Sequence, residues 1–178
     1  DAVVASALSV QAITASGGGN GTSAGGNIRL NDVSGTGTIT LNGSLTSTGN
    51  SGSGGNITLG TAVSLGANDV SVSTGTTAGD VTFDSTVNAD SEANNRTLSI
   101  TAGAGNVTMS NDVGGTQDLR SFTIVTANTA SVKNITTQGG SGSDTISITT
   151  TGTLTIASEL ATDGAGAGTA TGNINLSA

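Results

Sequence analysis

Few side chains in this sequence can bind an ion or move a proton, and all of them are carboxylates or cationic groups. The run GGSGSDTIS, from Gly139 to Ser147, fits the calcium-binding nonapeptide pattern of parallel β-helices: Gly139, Gly140 and Gly142 permit a tight turn, and Asp144 supplies a hard oxygen ligand. Its buried residue would be Ile146. Such sites hold the ion between consecutive copies, and the chain has a single copy. The expectation is therefore limited to weak Ca²⁺ binding at Asp144, beside the plainer reading of a flexible loop entering a strand, and no other cofactor is expected. Asp32, Asp84, Asp112 and Glu159 follow short apolar segments. They would form a cation-attracting stripe if those segments stacked in register, and are otherwise solvated turn residues.

Catalysis finds little to work with. There is no His, Cys, Trp or Tyr, so neither an imidazole base nor a thiol nucleophile exists. A polysaccharide-cleaving groove needs clustered carboxylates or a basic group. Asp90 with Glu92 and the scattered arginines are all that is available for it. The expectation is a protein with no catalytic residues.

The surrounding pattern is more informative. Thirteen times a short apolar pair recurs with a polar residue between its members: Leu8/Val10, Ile28/Leu30, Ile39/Leu41, Ile57/Leu59, Val70/Val72, Val81/Phe83, Leu98/Ile100, Val107/Met109, Phe122/Ile124, a degenerate Val132/Ile135, Ile146/Ile148, Leu154/Ile156 and Ile174/Leu176. Successive side chains of a strand point to opposite faces, so a spacing of two puts both apolar residues on a dry side and the residue between them on a wet one. Alternate pairs start at 8, 39, 70, 98, 122 and 146, and the interleaved ones at 28, 57, 81, 107, 132 and 154. Two interlocked series with a shared period of about 20 to 31 residues indicate a solenoid of about six coils. The stretches starting at Leu8, Ile39 and Leu154 repeat most closely, each adding a further apolar position (Ile13, Leu45, Leu160), a Gly-rich loop and a Gly-Asn entry to the next strand. Asn27, Asn56, Asp80, Asn106 and Asn173 all sit before a strand, where Asn and Asp tolerate left-handed backbone and bond their own neighbours.

Composition agrees. With 29 Gly, no Pro, no Cys, one Met and two Phe in 178 residues, a narrow coil filled by Val, Ile and Leu is easier to build than an ordinary globular core. The missing Pro excludes collagen, and the regular β-branched pairs with only 9% charged residues oppose disorder. No helical periodicity is present, and no apolar run approaches the ~20 residues that span a bilayer. Residues 1–178 read as a single all-β solenoid segment, with 1–7 a capping or linking strand. The chain opens at Asp1 without a leader, and its pattern still runs at Leu176, as in a piece of something longer. A net charge of −8, with only Arg29, Arg96, Arg120 and Lys133 basic, supplies no patch for nucleic acid.

The run from Arg96 to Leu176, particularly LSITAGAGNVTMSNDVGG, SFTIVTANTASVKNITTQGG and TISITTTGTLTIAS, resembles the β-strand-repeat regions of giant secreted bacterial surface proteins, the filamentous-haemagglutinin-like adhesins. That resemblance implies a right-handed parallel β-helix forming an extracellular stalk or fibre. Expected partners are further coils, in the same polypeptide or by end-to-end self-association, and a host or cell-surface glycan. The alternative is a binding module that uses a flat solenoid face toward glycan or ice. Ice would want Thr-x-Thr on every coil, whereas Thr38/Thr40 and Thr153/Thr155 stand isolated in the sequence.

Overall fold

The computed structural model describes residues 2–4, 7–19, 22–32, 37–138, 145–162 and 172–178. Every strand pair in it is parallel, and the chain winds through three sheets in repeating order. The first sheet stacks Ala2–Val4, Ile28–Asp32, Ile57–Leu59, Val81–Phe83, Val107–Met109, Ala130–Val132 and Leu154–Ile156. In the second, Ala7–Val10, Thr38–Leu41, Ala62–Leu65 and Val87–Ala89 continue through bridges at Val113 to Ile135–Thr136 and Leu160–Ala161. The third stacks Ile13–Thr14, Leu45–Thr46, Val70–Ser73, Thr97–Thr101, Ser121–Ala127, Thr145–Thr150 and Asn173–Ser177. This is a β-solenoid, as the apolar pairs require.

The alternation explains why such short strands persist. In Ile57–Leu59, Val81–Phe83 and Val107–Met109 the outer two residues are buried and the middle Thr is not. Registers hold like on like: Ile57 pairs with Val81 and Val81 with Val107, while Leu59, Phe83 and Met109 form the adjacent row. Each coil thus covers the apolar side of the one before it, and one continuous core runs from Val10 to Ile148. Full burial of each such side chain contributes roughly 1.5–3 kcal/mol. A bulge after Ile124 in Ser121–Ala127 shifts the register by one and turns Val125 outward, which accounts for its 46% exposure.

Three faces, where two interlocked series suggested two, change the assignment of several pairs. Ile39 lies between Leu8 and Val63 in the second sheet, whereas Val70/Val72 belong to the third, above Leu45. The series 8, 39, 70 therefore changes face midway. In the shorter coils the second-sheet strand is compressed to Val87–Ala89 or to Val113 alone, too little to register as a pair. The degenerate pair resolves for the same reason: Ala130 and Val132 are the inward residues of a regular first-sheet strand, and Ile135 opens a second-sheet strand. The stretch from Leu154 is out of phase with its look-alikes. It starts in the first sheet and its final strand, Asn173–Ser177, lies in the third, while the stretches from Leu8 and Ile39 start in the second and close in the first. Ala2–Val4 pairs in parallel with Leu30–Asp32.

The corner entering the first sheet is built for close approach. Gly26, Gly55, Gly79 and Gly105 stand one above another, each two residues before an aligned first-sheet strand. A Cβ on Gly105 would lie 2.1 Å from the Gly79 carbonyl oxygen, and one on Gly55 2.4 Å from that of Gly26. Stacked corners leave no room for a methyl group there. Gly105→Ala is expected to cost about 1–3 kcal/mol through forced backbone displacement, read as a lowered midpoint in thermal unfolding. Gly18→Ala, with nothing within 4 Å of its Cβ, should leave the midpoint unchanged.

Candidate functional site

Beside the glycine column runs a ladder of side-chain amides and one carboxylate. The Asn56 backbone N–H donates to Asn27 Oδ1 at 2.8 Å, that of Asp80 to Asn56 Oδ1 at 2.9 Å, and that of Asn106 to Asp80 Oδ1 at 2.8 Å. Thr129 Oγ1 completes the run by donating to Asn106 Oδ1 at 2.7 Å. Each side chain thus satisfies the amide of the equivalent residue one coil on, at a corner where the ladder of the sheet has not yet begun. This corrects the expectation of left-handed turn residues bonding their own neighbours. Among the described residues only Ser51, Asp69 and Asn95 are non-Gly residues with positive φ. Asn173 does not join the ladder, because it pairs with Thr145 in the third sheet.

Buried hydroxyls reinforce the same edge from inside. Ser47 Oγ donates to the Gly26 carbonyl at 2.6 Å and accepts the Gly55 N–H at 2.9 Å, and Thr74 Oγ1 donates to the Gly79 carbonyl at 2.8 Å. Both residues are fully buried. They tie the end of the third sheet to the start of the first.

The anticipated acidic stripe is broken up. Asp112 and Glu159 do share a row at the entry to the second sheet, but Asn134 stands between them and Thr86 precedes them, as equivalent carbonyls bonding Val87, Val113, Ile135 and Val63 demonstrate. Asn134 Nδ2 donates to Asp112 Oδ1 at 3.0 Å, and the Glu159 N–H donates to Asn134 Oδ1 at 3.1 Å, so this row is a second amide-bridged ladder. Asp84 lies at the earlier corner, level with Gly60 and Ser110, and Asp32 closes a first-sheet strand. Among the described residues no three of Asp, Glu, His or Cys come together in a way that could hold a metal. The nonapeptide residues Gly139, Gly140, Gly142 and Asp144 lie outside the described residues.

Asp90, the carboxylate considered for chemistry, is taken up by Arg96. Arg96 Nε and Nη2 grip Asp90 Oδ1 and Oδ2, each at 2.8 Å, while Arg96 Nη1 reaches Asn68 Oδ1 at 2.6 Å in the preceding coil. The forked bond from Arg96 holds the Asp90 carboxyl well below the usual carboxylate range, and Asp90 in turn raises Arg96. A carboxylate so placed is a poor proton acceptor near neutral pH. Its partner Glu92 begins a 3₁₀ turn, Glu92–Asn94, that ends on left-handed Asn95. The Glu92 N–H donates to Gln117 Oε1 at 3.2 Å, and Gln138 Nε2 donates to the Glu92 carbonyl. Together these groups fasten the corner loops of consecutive coils to one another.

Outward residues form columns that were invisible as isolated Thr pairs. Thr58, Thr82, Thr108, Ser131 and Thr155 align on the first sheet, and Ser71, Ser99, Thr123 and Ser147 on the third. Thr40 itself stacks between Ser9 and Ser64. The named residues are small and uncharged, and the first-sheet column meets Arg29 one coil before Thr58. At the far end of the stack the inward residues lose their cover: Ile156, Ile174 and Leu176 are 36, 43 and 47% exposed, against 1% or less for Val132, Ile146 and Ile148 one coil earlier. No helix among the described residues is long and apolar enough to cross a membrane.

The chain matches no family model, no curated protein and no solved structure. The solenoid is compatible with β-strand-repeat regions.

The ladder makes a specific prediction at its one carboxylate. Asp80→Asn retains an Oδ1 acceptor and should leave stability within about 0.5 kcal/mol of the parent, whereas Asp80→Ala strips the Asn106 amide of its partner and should cost about 1 kcal/mol. Urea unfolding of the two variants checks this. Equal losses in both would mean that the negative charge, rather than the coil-to-coil bond, is what matters.

Proposed function

We propose that this chain is a structural segment of an extracellular bacterial fibre or adhesin stalk, in which the solenoid acts as a spacer and stacks on further coils. The observation that carries the reading is the parallel stack itself, in which successive coils share one aliphatic core from Val10 to Ile148 and no cluster of reactive groups forms among the described residues. The rest of the molecule supports it. Ordered side chains are spent on joining one coil to the next through the amide ladders, the Ser47 hydroxyl and the bond from Arg96 to Asn68. The acidic, polar exterior of a chain with net charge −8 suits a soluble stalk.

The hydroxyl columns favour a second reading, a binding module that presents a flat face to glycan or ice. For glycan the absence of Trp and Tyr counts against it, since stacking on sugar needs exposed rings and both Phe83 and Phe122 are fully buried. For ice the columns mix Ser with Thr, so the ordered methyl groups of a uniform Thr array are missing. Thermal hysteresis in a solution of the protein would favour that reading over the fibre.

Immunogold electron microscopy of intact cells of the producing organism tests the main proposal. Gold displaced outward from the cell surface along filaments is the expected result. Label found only after the cells are permeabilised would contradict it.

A further inference from the structure

One corner between the second and third sheets carries a chemically labile bond that the stacking itself requires. Asn42 and Gly43 follow the second-sheet strand Thr38–Leu41 and precede Leu45–Thr46 of the third sheet. Among the described residues Asn42 is the one asparagine with glycine next in the chain. We infer that Asn42–Gly43 is a site of spontaneous covalent modification, in which the Gly43 backbone nitrogen closes on the Asn42 carboxamide, and that the Ser9 hydroxyl of the preceding coil sets its rate.

Three observations carry this. First, the fold admits only glycine after Asn42, because a Cβ at Gly43 would lie 2.6 Å from the Ala12 backbone nitrogen. Close stacking thus imposes the one neighbour that has no side chain to keep its nitrogen away from the carboxamide. The ladder asparagines Asn27, Asn56, Asn106 and Asn134 are followed instead by Ile or Val, whose branched side chains hinder the same closure. Second, the Gly43 N–H donates to no acceptor among the described residues, whereas the Asn42 N–H is held by the Val10 carbonyl at 2.7 Å. The attacking nitrogen is free of the backbone ladder. Third, the carboxamide lies between coils: Asn42 Nδ2 donates to Ser9 Oγ at 2.9 Å in the coil before, and a Cβ on Gly66 in the coil after would collide with Asn42 Oδ1. Ser9 therefore holds the group that must leave. Asn42 and Gly43 are half-buried, so water reaches both.

The Gly43 nitrogen gives its proton to hydroxide and forms a bond to Asn42 Cγ, and the bond from Cγ to Nδ2 breaks as ammonia departs, leaving a five-membered succinimide. Water then opens the ring at either carbonyl. The products are aspartate and isoaspartate, each with one added negative charge and no change of oxidation state. Opening next to Cα routes the main chain through the side chain and lengthens it by one methylene, at a corner where Gly43 already packs on Ala12 of the preceding coil.

The test incubates the whole folded chain in mildly alkaline buffer below its unfolding transition and follows position 42 by peptide mass spectrometry, with enzymatic isoaspartyl methylation marking the rearranged product. Conversion at Asn42 should be first order, rise in proportion to hydroxide and yield both products, while Asn27, Asn56, Asn106 and Asn134 stay intact. Ser9→Ala, shown to be folded by circular dichroism, should convert about fivefold faster, the factor that one lost hydrogen bond corresponds to. Ser9→Thr keeps the hydroxyl and should match the parent. An intact position 42 after a free peptide of residues 39–46 has converted under the same conditions overturns the inference. A Ser9→Ala rate equal to or below the parent's overturns the role given to Ser9.

Discussion

The structure depends on one constraint: the inward aliphatic side chain of each coil must fall on the equivalent side chain of the next. A solenoid of strands two to seven residues long draws its core from the inward faces of its own sheets, and the single 3₁₀ turn among the described residues, Glu92–Asn94, buries nothing. Backbone ladders alone would not fix the register, because slipping one residue keeps hydrogen bonds while exchanging the dry face for the wet one. What forbids the slip is the pairing of Ile57 with Val81 and Val107, and of Leu98 with Phe122 and Ile146, on positions where burial is complete. Loops absorb the differences in coil length because they lie outside this stack.

The corners obey a second demand that follows from the first. If like must fall on like, successive turns pass within contact distance of each other, and each corner must satisfy its amides without spreading the coils. Glycine at Gly55, Gly79 and Gly105 supplies the clearance, and the Asn27–Asn56–Asp80–Asn106 ladder supplies the bonds. Asn128 takes the glycine's place in the next coil, and its backbone N–H donates to the Gly105 carbonyl at 2.7 Å. Arg96 performs the same service at a wider corner through its bond to Asn68 of the preceding coil, and its fork on Asp90 takes up the carboxylate that had the best claim to acid–base chemistry.

Much of this was legible in the sequence, and the part that was not has a physical cause. The spacing-of-two pairs reveal strands because the pleat enforces it, and the first-sheet series 28, 57, 81 and 107 reads off the true coil step directly. Beyond the pairs at Leu8 and Ile39 the second sheet escaped: Val63 and Leu65 have the spacing of a pair but follow Ile57/Leu59 too closely for a two-series reading, and Val87–Ala89 and Val113 present too few apolar residues to stand out from a loop. Ala130 escaped because a methyl group fills an inward position elsewhere held by Ile or Val. Asx residues before a strand were visible, but that their side chains reach the following coil is a property of stacking, which only the register discloses. The same holds for Arg96, whose partners Asn68 and Asp90 lie in loops of adjacent coils. The signal that could have found the second ladder is the recurrence of Asp112, Asn134 and Glu159 at intervals close to the coil step.

The register between the second and third sheets is the point on which the account is most exposed, and a chain without cysteine makes it easy to probe. Thr40 and Ser64 are aligned outward residues of neighbouring second-sheet strands, with Cα atoms about 4.8 Å apart in such a pair. Ser71 would be Thr40's neighbour only if Ile39 stacked directly on Val70. Cysteines introduced at Thr40 and Ser64 should be joined efficiently by a short thiol cross-linker in the folded chain, and cysteines at Thr40 and Ser71 should not. Cross-linking of the second pair and failure of the first would contradict the three-faced solenoid.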